Sequence, residues 1–268
     1  MSDDVLLSER VADKVHLLTL NRPDRLNTVT AELCEALHRE LTTLEADRSC
    51  RAIVLRGAGR GFCAGLDLEG YGDSPGADGS DPSRDRFANQ MHMSRLILRL
   101  RSTPQPVIAA VNGPAAGFGL ALTLGSDIRY AAESAVFRAI FLNIGVSNCD
   151  MGVSWLLPRL VGASRSHELM LTGRRVRADE AERIGLVADV VEDGKVVERA
   201  VQAAEEIAAW SPWGIRLTKQ GMWAALEIPG ELAAIEYEDR QQIMATTGVA
   251  PAEAVQAFLQ KRAARFVD

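Results

Sequence analysis

The first chemistry this chain offers comes from its backbone. In Ile108-Ala-Ala-Val-Asn-Gly-Pro-Ala-Ala-Gly-Phe-Gly-Leu-Ala-Leu-Thr-Leu-Gly-Ser-Asp127, an apolar run from Val107 to Val111 breaks at Asn112-Gly113-Pro114. Gly117-Phe118-Gly119 follows, and apolar residues then resume at helical spacing. This order reads as a buried strand, a turn and the start of a helix. Glycines at such a corner let a ligand approach the backbone, and the first-turn N–H groups of a helix have no partner within it. The stretch is therefore suited to hold developing negative charge. A second bend of the same kind, Gly57-Ala-Gly-Arg-Gly-Phe-Cys-Ala-Gly-Leu-Asp67, follows the buried strand Ala52–Arg56. A dinucleotide fingerprint would need Gly or Ala where Leu122 stands, and no Lys-Ser/Thr follows to make a phosphate-binding loop. A tight packing corner without a ligand stays open as the alternative.

The elements around the bends alternate strand and helix. Val15–Leu20 reads as a strand, followed by the turn-rich Asn21-Arg-Pro-Asp-Arg-Leu-Asn27. Thr30 can cap a helix with Leu33, Leu37, Leu41 and Leu44 on one face. Residues 70–86 are polar, rich in glycine and low in complexity, and should form a mobile loop. A helix from about Phe87 to Arg101 stops at Pro104 and Pro106. Short strands at Ile128–Ala132 and Ala135–Ala139 precede the loop Asn143–Gly152 and an amphipathic helix with Trp155, Leu156 and Leu160. Beyond Ser164 the chain is mostly helical apart from a strand at Leu186–Val191, and Pro212 after Ser211 fits a helix start. The class is α/β with an all-α C-terminal appendage. We divide it into a core at 1–205 and a helical region at 206–268.

Composition excludes several function classes. No apolar run approaches the roughly 18 to 20 residues of a spanning helix, so no membrane role is expected. Met-Ser-Asp-Asp at the start has no apolar segment behind it, which points to a cytoplasmic protein. Cys34, Cys50, Cys63 and Cys149 lie far apart and read as free thiols, so no metal site is expected. A net charge of −6 gives no reason to expect nucleic-acid binding.

Taken in order, Leu20-Asn-Arg-Pro-Asp-Arg-Leu-Asn27, Gly61-Phe-Cys-Ala-Gly-Leu-Asp-Leu68, Pro106-Val-Ile-Ala-Ala-Val-Asn-Gly113 with Gly117 and Gly119, Asp127, Leu169-Met-Leu-Thr-Gly173, Glu180–Val187 and Ala257–Arg262 resemble the enoyl-CoA hydratase/isomerase (crotonase) superfamily. The resemblance implies a spiral of strand–strand–helix repeats and C-terminal helices that assemble a homotrimer or hexamer. It implies an acyl-CoA thioester substrate, with coenzyme A entering as part of that substrate and no separate cofactor. It also explains two glycine-rich bends, since in this family two backbone N–H groups hold the thioester oxygen as enolate charge develops. Those donors map to Ala64 and Phe118, with the Phe118 side chain narrowing the pocket. The coenzyme A contacts map to Arg22, Arg25, the bend Ala64-Gly65-Leu66-Asp67, and Phe258 and Lys261 of the tail. Each cation has an ordinary surface charge as its alternative, and Asp67 has a structural place in the bend as its own.

The chain departs from the hydratase pattern at the acids. Family hydratases carry one carboxylate two residues after the last glycine of the motif and another about twenty residues later, and here those positions hold Ala121 and Phe141. Neither transfers a proton. Glu133 matches a surface position. The candidate that remains is Asp150, because dienoyl-CoA isomerases and 4-chlorobenzoyl-CoA dehalogenases resemble this chain in having an aspartate in this loop. Two readings of Asp150 stand, an acid/base or nucleophile in the pocket and a helix N-cap. His92 lies on the helix before Pro106, and His16, His38 and His167 read as peripheral or remote. The expected function is hydration or double-bond isomerisation of an enoyl-CoA. The alternatives are a non-catalytic acyl-CoA binder and dehalogenase- or hydrolase-like chemistry at Asp150.

Overall fold

The computed structural model describes residues 4–266. Nine strands and ten α-helices alternate along these residues. β1 (Leu6–Ala12), β2 (Val15–Leu20), α1 (Ala31–Ala46), β3 (Ala52–Gly57), α2 (Pro82–Ser102), β4 (Val107–Val111), β5 (Ala115–Ala116) and α3 (Phe118–Gly125) come first. β6 (Ile128–Ala132), β7 (Val136–Arg138), α4 (Val153–Val161), α5 (Ala163–Thr172), β8 (Val176–Arg177), α6 (Ala178–Arg183), β9 (Asp189–Val191) and α7 (Val196–Ala208) follow. The chain closes with α8 (Pro212–Ala225), α9 (Glu231–Thr246) and α10 (Ala250–Leu259).

Strands β1-β2-β3-β4-β6-β9 form one sheet and β5-β7-β8 a smaller one. From β2 to β9 the large sheet is parallel, while β1 pairs antiparallel with β2. Strand alternation explains its two-sided burial. Ile53, Leu55, Val107, Ala109 and Val111 enter the main core under α1, α2 and α3. Their neighbours Val54, Ile108 and Ala110 face α7 on the other side. A parallel sheet covered on both faces needs such near-continuous apolar strands.

Helix starts follow local capping chemistry. The Thr30 side chain accepts from Leu33 N, and Leu33, Leu37, Leu41 and Leu44 are all buried. Each buried leucine contributes about 1.5–3 kcal/mol. Helix α2 begins earlier than the expected Phe87, because the Asp81 carboxylate caps Ser83 N and Arg84 N and Pro82 takes the first turn. The irregular stretch therefore ends at residue 81. Ser211 caps α8, with Pro212 in its first turn, as the sequence indicated.

Three expectations change. The hairpin partner β1 was not foreseen, because Glu9 and Arg10 interrupt its apolar pattern and Ser8 to Val11 are exposed. The strand expected over Leu186–Val191 is regular only at Asp189–Val191, since Leu186 N turns back to Ala181 O. Position 205 falls inside α7, whose buried residues Val196, Ala200, Ala203, Ala204 and Ala208 lie along the sheet, so the whole helix packs with the core.

Beyond α7, helix α8 is fixed by a buried ion pair. Lys219 Nζ lies 2.7 Å from Asp127 Oδ2 and also donates to Leu100 O and Gln105 O. Asp127 in turn accepts from Val107 N and from Trp223 Nε1, both at 2.7 Å. One carboxylate thus joins the starts of β4 and β6 to the helical tail. No residue of α9 is buried, and α10 buries only Ala257.

Candidate active site

The two glycine bends meet. A methyl group on Gly65 (φ +113°) would lie 3.2 Å from Ala116 O. One on Gly117 (φ +53°) would lie 3.7 Å from Gly65 Cα and 3.6 Å from Phe141 Cε1. Both backbones also need a left-handed φ, which only glycine adopts at little cost. Gly119 is more constrained still, because an added Cβ would fall 2.0 Å from Cys63 O.

Phe118 N opens α3 after Gly117, and no acceptor satisfies it among the described residues. Its ring is fully buried in the main core, so the backbone alone is free to act there. Ala64 does not meet the expectation made of it, because its N–H donates to Leu26 O at 3.0 Å. Two residues on, Leu66 N has no acceptor among the described residues. Gly65 O accepts from Val29 N and Asp67 N donates to Val29 O, so the trans peptide between Gly65 and Leu66 turns the Leu66 N–H away from Val29. The free pair is therefore Leu66 and Phe118. Motif position alone did not separate Ala64 from Leu66. The signal that does is the parallel bridge Val29–Leu66, which is a tertiary contact.

Asp150 stands in a shaped bend. Asn148, buried, donates to Ala139 O and Met170 O and accepts from Leu142 N, which pins the loop. Met151 (φ +46°) and Gly152 (φ +79°) then both take left-handed backbone. A non-glycine residue held there costs about 1–3 kcal/mol, and such strain concentrates at functional sites. The Asp150 carboxylate accepts from Gln90 Nε2 at 2.5 Å and from Met151 N at 2.7 Å. It does not cap α4, whose N-cap is Gly152 with no side-chain bond. Burial holds its carboxyl above the usual range, against the opposing pull of those two donors. Ala121 and Phe141 are buried and apolar, and Glu133 is exposed.

The expected coenzyme A residues divide. Arg22 donates to Asp67 Oδ2 at 2.8 Å and to Thr28 O at 2.5 Å, so it staples the first loop to the bend. This pairing holds the Asp67 carboxyl below its usual range, chiefly through the Arg22 hydrogen bond, and gives Asp67 the structural place expected for it. Arg22 still lines an open cleft with Ala31, Glu35, Tyr71 and Ser74. Arg25 pairs with Glu69 on the surface. Phe258 is 82% exposed at the end of α10, which packs on α9, and no hydrogen bond or ion pair joins Phe258 or Lys261 to Arg22 among the described residues.

Sequence reading missed a polar cluster beside this cleft. Tyr71 Oη lies 3.0 Å from His92 Nδ1, and His92 Nε2 lies 3.1 Å from Glu35 Oε2. His38 is not peripheral, for its ring stacks on His92 with centroids 5.0 Å apart. Its Nε2 donates to His92 O, and the Cys34 thiol reaches the same carbonyl. The spacing Cys34-x-x-x-His38 on one helix face was the available signal. Ligand atoms of Cys34, His38 and His92 lie within 4.8 Å of one another, the one such group among the described residues. Both His92 nitrogens already have partners, and burial pushes the Cys34 thiol up to about 12. The donor set is thus satisfied as a hydrogen-bonded network and does not fit an ion as it stands. The four cysteines are free.

Two facing bends with free N–H groups, on a spiralling strand-and-helix core, define a crotonase-type fold. The chain belongs to the enoyl-CoA hydratase/isomerase family, whose profile matches residues 10–268. It is 40% identical over 265 residues to the "Probable enoyl-CoA hydratase EchA12" of Mycobacterium tuberculosis, covering 98% of this chain and 93% of that protein. It is 39% identical over 254 residues to the 1,2-epoxyphenylacetyl-CoA isomerase of Escherichia coli, covering 94% of each. The crystal structure of a "probable enoyl-CoA hydratase/isomerase" from Mycobacterium abscessus superposes with a TM-score of 0.92 at 38% identity, over 98% of both chains. No helix among the described residues is long and apolar enough to cross a membrane.

Proposed function

We propose that this protein isomerises the double bond of an enoyl-CoA, with Asp150 as the single proton carrier. Leu66 N–H and Phe118 N–H stabilise the enolate oxygen. The observation that carries this reading is the Asp150 carboxylate, set beside the left-handed Met151-Gly152 bend, held by Gln90 and free of any capping duty. Hydration needs one group to activate water and another to deliver a proton to the α-carbon, and the family's two positions for these are apolar here. Isomerisation needs only one base. Asp150 removes a proton from one carbon beside the conjugated system, the electrons delocalise onto the thioester oxygen, and the same carboxylic acid returns the proton two carbons away. Substrate and product have the same composition, so no water or redox partner is consumed. Burial suits this cycle, because it brings the carboxyl closer to the working pH than an exposed aspartate.

The two relatives named above are called a hydratase and an isomerase, which supports a CoA thioester substrate for this chain. The exposed apolar residues Leu232, Ile243, Phe258 and Leu259 of α9 and α10 support a homotrimer or hexamer, in which Phe258 and Lys261 of one subunit serve the coenzyme A of another. The test is a panel of 2- and 3-enoyl-CoA thioesters in deuterium oxide. Deuterium entering the α- and γ-carbons without net addition of water is expected. Stoichiometric formation of a 3-hydroxyacyl-CoA would sink the isomerase reading.

A further inference from the structure

One turn of α2 makes three side-chain contacts to other parts of the site. Asn89 Oδ1 accepts from Ser74 N and Ser74 Oγ, Gln90 donates to Asp150, and His92 meets Tyr71. Ser74 and Tyr71 belong to the irregular segment that walls the cleft, and Tyr71 O also accepts from Ala31 N at the start of α1. The wall and the Asp150 loop are therefore held from the same four residues.

The protons in the His92 chain have a defined order. The Glu35 carboxylate only accepts, so His92 carries its proton on Nε2, and its Nδ1 lone pair then accepts from the Tyr71 O–H. The charged and titratable groups facing His92 are Cys34, Glu35 and His38 from α1 and Tyr71 from the segment. A second proton on His92 would occupy Nδ1. Tyr71 would then lose its acceptor and its O–H would have to turn elsewhere.

Resting on the acyl-CoA reading above, we propose that Tyr71 is a specificity-determining positioning residue of the cleft, held by Glu35 and His92 so that the wall stays closed on the thioester while His92 is neutral. The stacked His38 and the desolvated setting both favour the neutral form, with desolvation the larger cause. The latch is closed at and above the ordinary imidazole range and opens as the pH falls below it.

The test uses Tyr71→Phe, which keeps the ring and removes the O–H, with Glu35→Gln as the conservative variant that still accepts from Nε2. Amide exchange over residues 70–76 is measured on ligand-free protein at neutral and acid pH, corrected for intrinsic rates. Protection in Tyr71→Phe should fall by roughly threefold to tenfold at neutral pH, the value of one hydrogen bond. Wild type should lose the same protection in acid, and Glu35→Gln should largely keep it at neutral pH. In Tyr71→Phe, kcat/KM on the best enoyl-CoA should fall mainly through KM. Wild-type protection in Tyr71→Phe would overturn the latch, and lost protection with unchanged KM would overturn its role in specificity. A melting temperature that equimolar zinc raises in wild type but not in His92→Gln would assign the cluster to a metal instead. Exchange is read without substrate, so it scores the latch even if Asp150 proves not to transfer protons.

Discussion

Gln90 Nε2 donates to Asp150 Oδ1 at 2.5 Å, and this bond joins the middle of α2 to the strained bend before α4. It fixes the carboxylate from outside its own loop. Two elements sixty residues apart in sequence thus fix the carboxylate proposed to transfer the proton.

Asp150→Asn separates chemistry from stability. Turnover should fall by roughly 10² to 10⁴, the usual contribution of a positioned acid or base. Because the folded carboxyl lies above 3.8, the fold favours its neutral form. The stability it contributes is full below that value and is lost as pH rises through the folded value. Asn has no charge to desolvate, so the variant should be as stable as wild type or more stable at neutral pH. Chemical denaturation at neutral and acid pH checks the sign, and wild-type turnover would eliminate Asp150 as the base.

Gln90→Leu removes a donor that favours the ionised carboxylate. The Asp150 carboxyl should move further up, and the acid limb of the pH–rate profile should shift to higher pH. An unshifted limb would mean that Gln90 does not set the ionisation of the proposed base.

Leu66→Pro deletes the N–H proposed to face the thioester oxygen but leaves Gly65 O and Asp67 N on Val29 intact. A loss of roughly 10²–10³ in kcat is expected for one oxyanion donor. Unchanged circular dichroism and melting temperature would show that the loss is chemical. If kcat survives in a folded Leu66→Pro protein, the donor pair named here is wrong.

Lys219→Met tests the anchor of the tail. Both partners of the Lys219–Asp127 pair are about 4% exposed. Removing one partner of a buried pair costs about 3–5 kcal/mol, because the other charge is left buried and alone. Urea denaturation that shows a loss well under that range would mean that solvent reaches Asp127 once the lysine is gone.

Light scattering at micromolar concentration should report a trimer or hexamer. Charge on the exposed faces of the tail, as in Leu232→Glu with Ile243→Glu, should release monomers. A monomeric wild type would leave those apolar side chains without the partner proposed for them.

The sequence by itself carried the α/β alternation, the leucine face of α1, the Ser211-Pro212 start of α8, and the two glycine bends. All of these depend on neighbours within a few residues, where capping, periodicity and φ preferences act. It also showed that Ala121 and Phe141, at the positions where the resemblance led us to expect carboxylates, cannot transfer protons, since residue type alone decides whether a side chain can carry one. Which N–H groups are free was not legible. Ala64 and Leu66 look equivalent along the chain, and only the pairing of the bend with Leu26 and Val29 consumes one and spares the other. Whether Asp150 caps a helix or faces Gln90 was likewise decided by the left-handed Met151 and Gly152, whose conformation no local preference of methionine predicts. The Glu35–His92–Tyr71 chain draws on three segments, and a hydrogen bond between distant segments exists only once the fold has brought them together.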